Sequence, residues 1–127
     1  SFDTEILLKE ALIIKNKTIV IKMTDAEDMD SLKDFGNSLL LKLNSGIGVL
    51  GAVADKPMLV VVVTDTLIEA GIKAGDLAKQ IGSIMGGGGG GRPRLATAGG
   101  KDQKSLETAM EKAKDIILKN IEEKNAV

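Results

Sequence analysis

The sequence predicts an α/β fold: a mixed sheet of about four strands with an antiparallel hairpin, covered by helices, with a Gly-rich loop before the last strand and helix. Three observations lead there. Thr18 to Thr24 is a β-branched run bounded by lysine and aspartate, the composition of a buried strand. Gly46 to Ala54 and Met58 to Thr64 are apolar segments joined by Asp55-Lys56-Pro57, a turn-forming triplet that suggests an antiparallel hairpin. Between and after them run stretches with apolar residues at helical spacing, each needing a sheet to pack on.

Taken in order, Asp3 or Thr4 can cap a first helix, and the apolar positions through Ile14 carry it to about Asn16. The strand from Thr18 follows. Asp30 or Ser31 then caps a helix with Leu32, Phe35, Leu39 and Leu43 on one face. In the hairpin, Gly48 and Gly51 mark a bulge or a close backbone approach. Asp65 to Ala70 suits one helical turn before Gly71, and Ala74 to Met85 a second helix with Leu77, Ile81, Ile84 and Met85 inward. Gly86 to Gly91 interrupt the pattern, a short strand follows, and a final helix runs from about Gln103 towards Glu123 with Leu106, Met110, Ala113, Ile117 and Ile121 as its buried stripe. The expected organisation is a single domain over 1–127, with an opening helix in 1–16 and a glycine-rich domain in 17–127.

Composition closes off several functions. The chain has no cysteine and no histidine, so it lacks disulfides, thiolate metal sites, the usual zinc ligand and the usual general base. Its carboxylates are scattered at solvated spacings, with no metal or acid–base motif. No catalytic and no metal-binding residue is assigned, and the chain alone is not expected to be an enzyme. The longest apolar run is far shorter than the ~20 residues needed to span a bilayer, and no membrane partner is expected. A net charge of −1 argues against a broad basic face that coats a nucleic acid. With Phe2 and Phe35 the only aromatic residues, successive bases cannot be stacked on rings either, which leaves recognition of a folded RNA by shape.

Six successive glycines lose more backbone entropy on ordering than any other residues would. Three readings compete. A flexible linker should join two domains, yet only ~35 residues follow, too few for a second core. A nucleotide-phosphate cradle would end in Gly-Lys-Ser/Thr or follow a strand, and this tract does neither. The third is a backbone surface for a polynucleotide, where glycines permit close approach and nearby cations supply charge. Residues 86–104 hold Arg92, Arg94, Lys101 and Lys104 against Asp102, a local net of +3 beside −4 for the remainder of the −1 chain.

The stretch from Gly86 through Arg92-Pro93-Arg94-Leu95-Ala96-Thr97-Ala98 to Gly99-Gly100 closely resembles a signature near the C-terminus of alanyl-tRNA synthetases. The resemblance continues upstream through Met29-Asp30-Ser31-Leu32, Gly48-Val49-Leu50-Gly51 and Ile72-Lys73-Ala74-Gly75-Asp76-Leu77, covering roughly residues 18–120. It implies a cytoplasmic, tRNA-binding C-terminal domain that touches the outer corner of tRNA(Ala) and aids aminoacylation and editing. The implied partners are that tRNA, the other domains of a parent synthetase and, in some members, a second copy in a homodimer. No cofactor belongs to such a domain; ATP, Mg and Zn would belong to the parent's other domains. A related domain accompanies DHH-type phosphoesterases, where a histidine follows the glycines; Arg92 stands there in this chain. Two positions depart from the synthetase pattern, Arg94 where an acidic residue is frequent and Thr97 where a glutamine is frequent.

The expected RNA-binding set is therefore Lys73, Gly86, Gly87, Gly88, Gly89, Gly90, Gly91, Arg92, Arg94, Gly99, Gly100 and Lys101. The glycines would form a flat, side-chain-free surface and the cations would meet phosphate or ribose, unless Arg94 pairs with Asp76 or Asp102. The rival expectation is a structural dimerisation module built on the amphipathic stripes of the first and last helices.

Overall fold

The computed structural model describes residues 2–125. Its elements are α1 (Thr4–Lys9), β1 (Leu12–Ile14), β2 (Lys17–Met23), α2 (Met29–Lys42), β3 (Gly46–Val53), β4 (Pro57–Val63), α3 (Asp65–Glu69), α4 (Ala74–Ile84), β5 (Gly89–Gly91), β6 (Leu95–Gly99) and α5 (Gln103–Glu123). The strands form one six-stranded sheet in the order β1-β2-β3-β4-β6-β5. Only β2 and β3 pair in parallel, and α2 is the crossover between them. The class is the expected one, with two more strands than the sequence suggested.

Every residue of β4 is buried because both faces of the sheet are covered. Leu59, Val61 and Val63 point into a core shared with α3, α4 and α5. Met58, Val60 and Val62 point the other way, into a core with α2 and the apolar side of α1. Alternation across one strand thus serves two cores, which is why the run reads as continuously apolar. The stripe on α5 is spent inside: Leu106, Ala113, Ile117 and Ile121 are fully buried with Ala109, while Met110 is half-buried at the margin. On α4, Leu77, Ile81 and the following Met85 are buried and Ile84 half-buried, much as expected.

The extra strands lie at the two edges. The opening helix does not reach Asn16. Asp3 caps it, with its Oδ1 accepting from the Glu5 N–H at 3.0 Å, but the helix ends at Lys9 and Leu12–Ile14 becomes β1. Lys15 and Asn16 have φ of 50° and 66°, and Ile14 pairs with Lys17 across them. Positive φ at both central residues is the geometry of a tight hairpin, which a helix cannot use.

Asp28, not Asp30 or Ser31, caps α2: its Oδ1 accepts from the Ser31 N–H at 2.7 Å, and the Ser31 backbone and hydroxyl donors hold this carboxyl below its ordinary range. At Gly48 the ladders to β2 and β4 run without a bulge, and a Cβ there would lie 2.5 Å from Leu39 Cδ2 of α2. Close helix approach is the reason for that glycine.

Candidate nucleic-acid interface

The glycine tract is a loop only in its first half, where Gly86 to Gly88 lead out of α4. Gly89, Gly90 and Gly91 form β5 and pair with Ala98, Thr97 and Ala96 of β6, making the outer edge of the sheet. A strand of glycines has no propensity to form by itself, so tertiary packing must impose it. The partner is α4, whose small residues Gly75, Ala78 and Gly82 make a stripe on which β5 rests. A Cβ at Gly75 would lie 2.8 Å from the Gly91 carbonyl oxygen, and one at Gly82 would lie 2.7 Å from Ala98 Cβ. A Cβ at Gly89 would overlap the Ala78 carbonyl. Helix and strand therefore meet backbone to backbone.

The tract divides by position. At Gly87, Gly89 and Gly91 a Cβ would strike neighbouring backbone: one at Gly87 would overlap the Gly99 carbonyl, and one at Gly91 would lie 2.7 Å from Ala96 Cα. Gly100 is equally confined, its Cβ position 2.9 Å from Met85 Cβ. Gly86 and Gly88 meet open space, and Gly90 meets only Lys79 Cε, 3.7 Å away. The bare surface expected across the whole tract is thus a narrow lip, exposed at Gly86 to Gly88 and Gly91 and half-buried at Gly89 and Gly90, with alternate positions that admit no side chain.

The remaining expected residues lie at the two ends of this lip. At one end Arg92, Pro93 and Arg94 connect β5 to β6, with the Arg92 N–H donating to the Leu95 carbonyl at 3.0 Å. The Ala74 N–H donates to the Pro93 carbonyl at 2.8 Å, which brings Lys73, at the start of α4, against the same turn. At the other end the Gly99 N–H donates to the Gly88 carbonyl at 3.3 Å, with Gly100 and the exposed Lys101 just beyond. At ~3.3 Å per strand residue, the four steps from Gly88 to Arg92 put the two ends roughly 13 Å apart.

Arg94 pairs with neither Asp76 nor Asp102. Its guanidinium is bidentate to Asp65, Nε to Oδ1 at 2.8 Å and Nη2 to Oδ2 at 2.6 Å. Asp65 opens α3 directly after β4, and β4 lies beside β6, so the sheet itself makes the meeting. Asp102 is instead the cap of α5, accepting from the Ser105 N–H at 2.7 Å. Side chains 65% and 61% exposed make the ion pair worth about 0.2–1 kcal/mol, enough to orient a turn but not to hold a fold. Thr97 sits half-buried in β6 between Val60 and Gly90.

Sequence reasoning overlooked Lys79. The signal was available: the Gly75, Ala78, Gly82 spacing marks the helix stripe that a glycine strand would cover, and Lys79 borders it. Among the described residues no group of three or more acidic, histidine or cysteine side chains is placed to hold a metal ion. No helix among them is long and apolar enough to cross a membrane.

Fold and site together define a small α/β domain covered on both faces, with a glycine-built sheet edge flanked by cations. The sequence matches the DHHA1 domain family over residues 15–119, and the chain belongs to that family. It is 34% identical over 116 residues to an alanine–tRNA ligase of Alkaliphilus oremlandii, covering 91% of this chain and 13% of that protein. It is 37% identical over 118 residues to the alanine–tRNA ligase of Natranaerobius thermophilus, covering 92% of this chain and 13% of the relative. The chain thus spans a small part of the curated relatives it matches. Its fold resembles the C-Ala domain of Aquifex aeolicus alanyl-tRNA synthetase, with TM-score 0.73 and 22% identity over 85% of this chain and 97% of that one. It also resembles the DHH domain of a member of the s1p family of ribosomal proteins, with TM-score 0.56 and 15% identity over 91% of this chain and 30% of that one.

Proposed function

We propose that this chain is the tRNA-binding, C-terminal domain of an alanine–tRNA ligase, contacting the outer corner of tRNA(Ala) and so aiding aminoacylation and editing by the parent enzyme. The observation that carries this reading is the side-chain-free glycine edge of β5, half-buried at Gly89 and Gly90 and exposed at Gly91, with Lys73 and Arg92 at one end and Lys101 at the other. An unpaired backbone edge offers N–H and C=O groups without side chains in the way, and the flanking cations can neutralise phosphates. Family membership and the similarity to alanine–tRNA ligases supply the choice of RNA. Recognition is by shape, since the lip carries no side chains to read bases.

The domain itself does no chemistry in this reading; ATP, Mg and Zn serve other domains of the parent, which is cytoplasmic. Few phosphate contacts give the isolated domain weak affinity and a shallow salt dependence, which tethering to the parent overcomes by effective concentration. Arg94, committed to Asp65, holds the turn that presents Arg92 rather than meeting phosphate itself.

The test is Arg92→Ala combined with Lys101→Ala. Both side chains are exposed, so the melting temperature should stay unchanged while binding of a tRNA(Ala) transcript weakens. Undiminished binding would remove the proposed site. Of the two stripes behind the dimerisation alternative, the one on α5 is packed in the core, while Ile6 on α1 is 55% exposed. Sedimentation at several concentrations tests it: self-association together with indifference to tRNA would favour the structural module.

A further inference from the structure

The two ends of the β5 lip carry cations, but the stretch between them has no side chains of its own. A sugar-phosphate backbone laid along the lip would cross roughly 13 Å of glycine between the turn that holds Arg92 and the end next to Lys101. One charged side chain reaches this gap from outside the tract. Lys79 lies one residue beyond Ala78 on α4, about 100° round the helix from the stripe that carries β5. Its Cε is 3.7 Å from the position a Gly90 Cβ would occupy, so the end of the side chain lies beside the middle of the strand.

Lys79 is exposed, and it makes no ion pair or hydrogen bond among the described residues. The groove it borders between α4 and α5 also holds Asp76, Glu123 and Lys124, yet its ammonium is not tied to either carboxylate. A lysine with a free head group, whose end lies beside a side-chain-free strand at an open sheet edge, is placed to meet an anion lying on that edge.

We infer that Lys79 is an RNA-binding residue, supplying the central phosphate contact of a surface that runs from Lys73 and Arg92, across Gly90, to Lys101. This rests on the tRNA-binding reading above and adds to it a residue and a direction: the RNA backbone follows β5 and leans towards α4.

The experiment titrates a tRNA(Ala) transcript with the 127-residue chain and with Lys79→Gln, Lys79→Arg and Lys33→Gln over a range of salt concentrations. Lys33 is exposed on α2, across the sheet, and serves as the charge-matched control. Lys79→Gln should weaken binding several-fold and flatten the plot of log affinity against log salt by about 0.7–0.9, the loss of one phosphate contact. Lys79→Arg should restore both, and Lys33→Gln should change neither. If Lys79→Gln behaves like Lys33→Gln while the Arg92 and Lys101 double variant binds weakly, the inference about Lys79 fails and the tRNA-binding reading stands. If the unsubstituted chain does not bind the transcript at all, both fail.

Discussion

At one edge of the sheet β1 presents Leu12, Ile13 and Ile14; at the other β5 presents Gly89, Gly90 and Gly91. Both strands are short, and both leave backbone groups unpaired on their outer side, an invitation to unwanted strand pairing. The β1 edge is guarded by side chains: Ile13 is 68% exposed, and Lys22 pairs with Glu10 at 3.3 Å nearby. The β5 edge is left bare, and its glycines cost conformational entropy that any other sequence would have spared. The difference teaches where to look for function. An edge with ordinary residues needs only to avoid pairing, whereas an edge stripped of side chains suggests that something must come close to it.

The largest expected effect comes from filling the inner side of the bare edge. Gly89→Val would push two methyl groups towards the Ala78 carbonyl and should destabilise the chain by about 3 kcal/mol, read from urea unfolding midpoints. Ile13→Thr at the opposite edge should stay within about 0.5 kcal/mol, because that side chain is mostly in solvent already. Equal losses at the two sites would mean that β5 is not the constrained edge.

A second pair sharpens the comparison within the tract. Gly91→Ala, at φ 151° and against Ala96, should cost about 1–3 kcal/mol. Gly88→Ala has open space and no positive φ, so it should stabilise by about 0.4–1 kcal/mol through the unfolded chain. Opposite signs three residues apart would be hard to reconcile with a flexible linker, in which neither substitution matters.

The smallest effect concerns the turn at the end of the lip. Arg94→Ala and Asp65→Ala should each cost under about 1 kcal/mol, and their double-mutant cycle should show coupling of about 0.2–1 kcal/mol that fades at high salt. Additive losses would show that the pair does not anchor the turn.

Much of the centre of this fold was legible. The β3–β4 hairpin, β2, α4 and α5 follow from strong periodicity and a recognisable turn triplet, because each buries a regular face. The edges were not. Leu12, Ile13 and Ile14 continue the apolar spacing of α1, and what makes them a strand is their pairing with β2 across the positive-φ turn at Lys15 and Asn16. Glycine carries no strand preference, so β5 was invisible until the α4 stripe and β6 were seen to enclose it. The candidate site was readable in its list of glycines and cations but not in its shape. Nothing local could show that half of the glycines leave no room for a side chain, or that Asp65 would claim Arg94 through the β4–β6 pairing.

Gly75 and Gly91 carry one more consequence. The absent side chain of the helix residue is what admits the carbonyl of the strand residue, and the strand residue is itself hemmed in by Ala96. A variant enlarged at position 75 would have to displace the whole outer strand, and with it the spacing between Arg92 and Lys79. Those two cations are thus held to a fixed gauge by a residue that touches no ligand, so a single added methyl on α4 should detune the site without removing any of its charges.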